Sequence, residues 1–348
     1  MIDLRSDTVT KPTLAMREAM ALAEVGDDQF GEDPTVRRLE ELAAQLLGKE
    51  AAVYVASGTM GNLAALLTHC GRGDEVIMGD ECHIFWFESG GAAALGGMPF
   101  ALIPTSADGE LPLERIEAAI RPTRPGYPRT GVICIENTHN RCSGTVLSQS
   151  YLSDLKELSE RHGVPVHMDG ARIFNAAAGS DLPVDVIASY ADSVQFCLSK
   201  GLAAPVGSLI AGDTEFIQRA RGARKILGGA MRQSGVIAAA GVVALTEMVD
   251  RLPEDHRRAR RLAEGLAAIE GVTLELDLVQ SNIVIFQTAP AVNHPQFVEE
   301  MKARDVLVSN YGARGLRMVT HYQISDDDID TALSRAAEVL ADALVAAN

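Results

Sequence analysis

Ser193-Val194-Gln195-Phe196-Cys197-Leu198-Ser199-Lys200-Gly201 is a mostly apolar strand pattern that ends by delivering one lysine into a loop containing Gly and Pro. A lysine at the end of a buried strand loses hydration, and desolvation favours the neutral amine that Schiff-base chemistry needs. A solvated loop lysine is the bland alternative. Upstream stands a second short apolar run, Val164-Pro165-Val166-His167-Met168-Asp169-Gly170-Ala171-Arg172, ending in a carboxylate. Between the two, Leu182 to Tyr190 reads as a short helix, so the segment has the order of a strand, helix, strand crossover. If the strands are parallel, Asp169 and Lys200 emerge at the same carboxyl edge of the sheet, where open α/β folds place their ligands.

An amine and a carboxylate on that edge suit pyridoxal phosphate. The lysine would hold the cofactor covalently, and the aspartate would keep the pyridine nitrogen protonated so that the ring accepts electrons. Bulk properties are compatible. The 348 residues are 47% hydrophobic, enough for a substantial core and a prior of about two domains. A formal net charge of -16 argues against nucleic-acid and anionic-membrane partners, which ask for basic surface. Five scattered cysteines, Cys70, Cys82, Cys134, Cys142 and Cys197, form no C-x-x-C pair, so reduced thiols in a cytoplasm are expected rather than disulfides or a zinc knuckle. The first seven residues show no secretory pattern, and the most apolar stretch, Val236 to Val249, is too short to span a bilayer and reads as a buried Ala-rich helix.

Short β-rich runs at Ala52–Ala56, Glu75–Met78, Phe100–Pro104, Gly131–Glu136, Val164–Met168, Ser193–Leu198 and Ser208–Ala211 alternate mostly with helical or loop segments. That alternation predicts an α/β fold with a largely parallel sheet of seven strands covered by helices. Residues 1–11 form an N-terminal segment and 12–251 the large domain. Beyond Pro253 the order changes to a charged helix, strands near Val272–Leu276, Asn282–Gln287 and Leu316–Val319, a helix at Pro295–Arg304 and a terminal helix from Asp326. Residues 252–348 thus read as a smaller α+β domain.

Several further groups are chemical candidates. Ser57-Gly58-Thr59-Met60-Gly61-Asn62 is a small-residue turn between a strand and an apolar helix, where free N–H groups and a hydroxyl can meet a phosphate; a plain N-cap is the alternative. His83 follows a strand end, so its imidazole can lie over a cofactor ring or simply sit among core aromatics. Glu88 is a proton-relay group or a surface acid. No metal is expected: in the H-x-D pair His167 and Asp169 the side chains are taken to face opposite sides of the strand. Arg172 and Arg317 are forked cations suited to a substrate carboxylate, the latter across an inter-domain cleft. Lys225 and Arg232 bracket the Gly228-Gly229 break and are candidates for a phosphate, including one in a neighbouring subunit.

Together these residues resemble the threonine aldolase family, the low-specificity and L-allo-threonine aldolases of the aspartate-aminotransferase-like (fold type I) PLP enzymes. The likeness runs nearly end to end, through Asp3-Leu4-Arg5-Ser6-Asp7-Thr8, Gly31-Glu32-Asp33-Pro34, Ser57-Gly58-Thr59-Met60-Gly61-Asn62, His83, Glu136-Asn137-Thr138-His139-Asn140, His167-Met168-Asp169-Gly170-Ala171-Arg172, Leu198-Ser199-Lys200-Gly201 and Arg317. The resemblance implies Lys200 as the Schiff-base lysine, Asp169 on the pyridine nitrogen, His83 stacked on the ring, and Gly58 and Thr59 on the phosphate. It implies Ser6, Arg172 and Arg317 on the substrate carboxylate. It also implies a homotetramer with active sites at a dimer interface, where Lys225 and Arg232 serve an adjoining subunit's phosphate.

One departure stands out. Family members often carry a second histidine before the Glu136-Asn137-Thr138 strand, thought to contact the substrate hydroxyl; here Arg124-Pro125-Gly126-Tyr127-Pro128 has none, and the Tyr127 phenol is the nearest substitute. The expected reaction is cleavage of the Cα–Cβ bond of an L-β-hydroxy-α-amino acid to glycine and an aldehyde, with His83 as candidate base through water and the cofactor phosphate as its rival. A β-eliminating lyase, racemase or aminotransferase is the runner-up, since one cradle supports several bond choices. A nicotinamide-dependent dehydrogenase lacks its G-x-G-x-x-G after the first strand. A non-catalytic scaffold would leave Asp169 and Lys200 without a shared task.

Overall fold

A computed structural model describes residues 1–180 and 182–347. The chain opens with a two-residue strand, β1 (Ile2–Asp3), and then builds one sheet from β2 (Ala51–Val55), β3 (Glu75–Gly79), β4 (Phe100–Ile103), β5 (Thr130–Glu136), β6 (Val166–Asp169), β7 (Ser193–Cys197) and β8 (Ser208–Gly212). Val, Ile and aromatic residues suit these strands to a pleated surface buried on both faces. The inner strands read as continuous apolar runs because helices cover both sides.

The sheet order is β2-β8-β7-β6-β5-β3-β4, and β8 alone is reversed, pairing antiparallel with both β2 and β7. All other pairs are parallel, so β2, β3, β5, β6 and β7 end at one edge. In β6 the strand starts at Val166, two residues later than the apolar run suggests, because Pro165 has no N–H to give the ladder.

A second sheet follows. It has the order β12-β13-β10-β9, all antiparallel, from β9 (Val272–Thr273), β10 (Ile283–Thr288), β12 (Ser309–Asn310) and β13 (Leu316–Val319). Helices Leu252–Ala267, His294–Ala303 and Asp326–Ala347 pack with it around Leu4, Phe286, Phe297, Met301 and Leu316. The Phe286 and Phe297 rings meet edge to face at 6.3 Å, a geometry worth about 0.5–1.5 kcal/mol beyond the area buried. The expected strand near Val272–Leu276 is cut to two residues, and Leu276–Leu278 turns as a 3-10 helix instead. β1 runs parallel to β11 (Val306–Leu307) as a separate two-stranded sheet, and the Val319 N–H of β13 donates to the Leu4 carbonyl at 2.8 Å, which ties the amino terminus to the second sheet. Among the described residues, no helix is long and apolar enough to cross a membrane.

Candidate active site

The carboxyl edge of the large sheet faces the second sheet across a cavity of about 260 Å³ lined by Ser6, His83, Asp169, Arg172, Lys200 and Arg317, together with Thr8, Phe87, Glu136, Asn140, Ala171 and Tyr311. Each wall has a local cause. Asp169 is the last residue of β6, and Lys200 lies three residues past β7, in a turn closed by Ala203 N–H donating to the Lys200 carbonyl at 2.8 Å. The Thr10 hydroxyl donates to the same carbonyl at 3.0 Å, so the N-terminal segment braces the lysine loop.

Asp169 is buried, and each of its oxygens accepts one hydrogen bond. Its Oδ1 accepts the Ala171 N–H at 3.1 Å and its Oδ2 accepts the Asn62 side-chain N–H at 2.9 Å. His83 begins the helical turn His83–Trp86; its N–H donates to Glu136 Oε2 at 2.6 Å, and its Nδ1 lies 2.9 Å from Glu88 Oε1. Burial alone would lower the imidazole pKa, but the Glu88 hydrogen bond and the charges of Asp169 and Glu136 outweigh it and raise it. Burial pushes the Glu88 carboxyl up, partly offset by the His83 hydrogen bond. Glu88 is therefore neither exposed nor idle. It holds the imidazole, which leaves Nε2 as the ring nitrogen free for other contacts.

The two arginines part company. Arg172 gives a bidentate pair to the buried Asp7, Nε to Oδ2 and Nη2 to Oδ1, both at 2.7 Å. Burial opposes that carboxylate, and the Arg172 charge and hydrogen bonds still hold Asp7 far below the usual range. Arg317 projects from β13 and has no acidic partner among the described residues: Nη1 donates to Asn140 Oδ1 at 3.0 Å and Nη2 to the Arg5 carbonyl at 3.2 Å. Its Nε is buried without a partner, and the guanidinium lies 4.5 Å over the Tyr311 ring. Burial, reinforced by Arg172, lowers its pKa against the pull of Tyr311 and Asp7. Such a cation favours an incoming anion.

Ser57 caps the helix Gly58–His69 by accepting the Met60 N–H at 3.2 Å. The Gly58 and Thr59 N–H groups have no partner among the described residues. The turn lies against the end of β7, where a Cβ on Gly58 would come within 2.9 Å of Cys197 Sγ, so only bare backbone fits there. Ser57, Gly58 and Thr59 do not line the cavity itself.

Three expected residues lie elsewhere in the chain. Tyr127 is 45% exposed, and its hydroxyl accepts from Arg124 Nη2 at 2.9 Å. Lys225 is exposed, and Arg232 pairs with Asp27 at 2.9 Å. The expectation for His167 and Asp169 needs correction: two residues apart on one strand they share a face, and the Asn62 amide bonds to both. Asn62 and Asp7 have partners distant in sequence, which local pattern does not reveal, whereas Glu88 meets His83 only five positions away. The capping-type turn before Asn62 was the available hint.

Comparisons with known proteins agree. The family model described as beta-eliminating lyase matches residues 3–289. The low-specificity L-threonine aldolase 1 of Arabidopsis thaliana is 46% identical over 338 residues, which cover 96% of this chain and 94% of the relative. The low specificity L-threonine aldolase of Escherichia coli (strain K12) is 45% identical over 94% of this chain and 96% of its own. The solved threonine aldolase of Leishmania major superposes with a TM-score of 0.83 at 20% identity, covering 98% of this chain and all 100% of the other. A serine palmitoyltransferase of Sphingomonas wittichii shares the fold with a TM-score of 0.79 at 17% identity, covering 99% of this chain and 88% of that one. On sequence and fold together, the chain belongs to the low-specificity L-threonine aldolase family of beta-eliminating lyases.

Proposed function

We propose that the chain is a pyridoxal-phosphate-dependent low-specificity L-threonine aldolase, a carbon–carbon lyase that cleaves L-threonine and L-allo-threonine to glycine and acetaldehyde. The observation that carries this reading is the half-buried guanidinium of Arg317, without an acidic partner among the described residues and with its Nε buried, in one cavity with Lys200 and Asp169. The residues also fit the cofactor. An amine, a carboxylate and an imidazole line the cavity, and the unpaired Gly58 and Thr59 N–H groups beside β7 suit a phosphate.

When bound, pyridoxal phosphate supplies an electron-accepting ring for the pair released from the broken Cα–Cβ bond. Lys200 Nζ would hold it covalently, and Asp169, itself positioned by Asn62 and Ala171, would keep the ring nitrogen protonated. Arg317, with Ser6 beside it, would take the substrate carboxylate and so decide which Cα bond lies in the reactive orientation. Arg172 contributes by fixing Asp7 under the site, since its own fork is filled. His83 Nε2 is the proposed acceptor of the β-hydroxyl proton, directly or through water, with Glu88 stabilising the resulting imidazolium. Tyr127 is exposed in one chain and would reach a substrate only across a subunit boundary.

A homotetramer is part of the same proposal. Lys225, without an ion-pair partner among the described residues, stands beside Ile226, which is 85% exposed, and that surface suits contact with another copy. Lys225 and Arg232 would then reach a neighbour's phosphate. A cytoplasmic location accords with the five free, buried cysteines.

The test is product analysis of the purified, cofactor-loaded protein with L-threonine, L-allo-threonine and L-phenylserine. Stoichiometric glycine and aldehyde are expected. Ammonia with a keto acid, or amino transfer without glycine, would move the assignment to the lyase or transferase reading.

A further inference from the structure

Three buried side chains meet at one amide. The Asn62 side chain lies within the helix Gly58–His69, is 1% exposed, and touches Glu88 Oε1 at 2.8 Å, Asp169 Oδ2 at 2.9 Å and His167 Nε2 at 3.1 Å. Its orientation is fixed by donor counting. Two carboxylate oxygens sit on one end of the amide, so that end is the NH2, and both of its hydrogens are used. The Asn62 oxygen must then receive a hydrogen from His167, which makes His167 an Nε2–H tautomer. The chain continues without a free choice. A neutral His167 offers Nδ1 as acceptor to the Ser193 hydroxyl at 2.8 Å, and the Ser193 oxygen accepts from His69 Nε2 at 2.7 Å. Burial lowers the His167 pKa to about 4, with Asp169 opposing, in keeping with the neutral form.

Without Asn62, Glu88 and Asp169 would face each other as like charges. One ligand oxygen of each, and a nitrogen of His83, lie within 4.8 Å of one another. The surrounding titratable groups are His83 on the turn after β3, Glu136 at the end of β5, His167 on β6, Lys200 after β7, and the Cys82 and Cys134 thiols. Of these, none places a hydrogen between the two acids; the amide does.

We propose that Asn62 is a positioning residue that sets the proton inventory of the cofactor pocket. By donating to Glu88 and Asp169 at once, it lets the first stay paired with His83 while the second stays an acceptor for the protonated ring nitrogen. Its oxygen locks His167 beneath Asp169 and so fixes the orientation of the strand-end carboxylate. This rests on the pyridoxal phosphate reading above. It goes beyond it in assigning a role to a residue that touches neither cofactor nor substrate.

The discriminating change is Asn62→Asp, which keeps shape and the acceptor for His167 but replaces two donors with lone pairs. Three acids then crowd one space and take up a proton, which competes with the ring nitrogen for Asp169. The variant's dissociation constant for pyridoxal phosphate, measured by titrating the apoprotein, is therefore expected to exceed that of the unaltered protein by about tenfold or more at pH 6.5, the scale of a hydrogen bond to a charged group. The ratio should fall toward one by pH 9 as that proton leaves. A ratio that stays constant with pH, or that never departs from one, would overturn the proposal, because a merely structural role has no proton to lose.

A second measurement needs no variant. In the nitrogen-15 histidine spectrum of the unaltered protein, His167 should remain a neutral Nε2–H tautomer from pH 6 to 9; an Nδ1–H tautomer or an imidazolium there would contradict the donor count. Neither measurement reads turnover. An absence of threonine cleavage would defeat the aldolase assignment and leave this inference to be decided by the histidine spectrum.

Discussion

In the proposed function substrate recognition turns on Arg317, because it is half-buried, cationic and without an acidic partner among the described residues, whereas Arg172 is already matched by Asp7. Two charge-assisted hydrogen bonds to a carboxylate are worth about 1.5–3 kcal/mol each. Arg317→Leu is accordingly expected to lower kcat/KM for L-threonine by roughly a hundredfold or more while the visible absorbance of the bound cofactor persists. Steady-state kinetics and a spectrum of the same sample check this. Arg172→Leu should behave differently: it strands the buried Asp7 carboxylate, and its first symptom should be a lower melting temperature. Equal kinetic loss with unchanged stability in both variants would contradict the division of roles.

The helix Gly58–His69 and the strands it crosses form an element with its own pH dependence. His167 on β6 is buried, while His69 at the helix end and His256 on the helix Leu252–Ala267 are half-buried. Burial is the main cause in each, lowering the pKa from 6.5 to about 3 for His69, where His167 and two arginines add to the effect, and to about 4 for His167 and His256. Because the folded values lie below the unfolded one, the unfolded chain binds protons first as the pH falls. Their stabilising effect is whole above pH 6.5 and is lost progressively toward pH 4, at up to about 1.4 kcal/mol per pH unit for each histidine. Urea denaturation at pH 7 and pH 5 should show this fall, and His256→Gln should flatten the slope by one histidine's share. An identical slope in that variant would count against a neutral His256 in the folded chain.

The same element shows what the sequence could convey. Lys200, Asp169 and His83 were legible because a strand pattern that stops at a polar residue places it at the sheet's carboxyl edge, and Arg317 because a basic residue interrupts an apolar strand. Seven strand runs were legible for the same reason, to within a residue or two at each end. β1, β11 and β12 were not, since two residues carry no period. Asn62 joins Glu88 and Asp169 across 26 and 107 positions of chain, and Asp7 reaches Arg172 across 165, distances at which local pattern is silent. Sharing of a strand face by His167 and Asp169 follows from simple alternation, since residues two apart on a strand point the same way.

At the scale of the whole molecule, the fold brings three parts together: an N-terminal segment carrying Ser6, Asp7 and Thr10, the carboxyl edge of the large sheet, and β13 of the second sheet. The Asp7 carboxylate links the N-terminal segment to the large sheet through Arg172 beyond β6, and to the second sheet through Asn282 Nδ2 at 3.1 Å just before β10. The same fold hosts a serine palmitoyltransferase, so architecture alone does not choose the bond that breaks. In the proposed function that choice depends on Lys200 holding the cofactor where Asp169 and Arg317 can both reach it. Borohydride reduction of the cofactor-loaded protein, followed by peptide mapping, tests this most directly. The account predicts a single phosphopyridoxyl modification on Lys200. Label on any other lysine, or none, would contradict it.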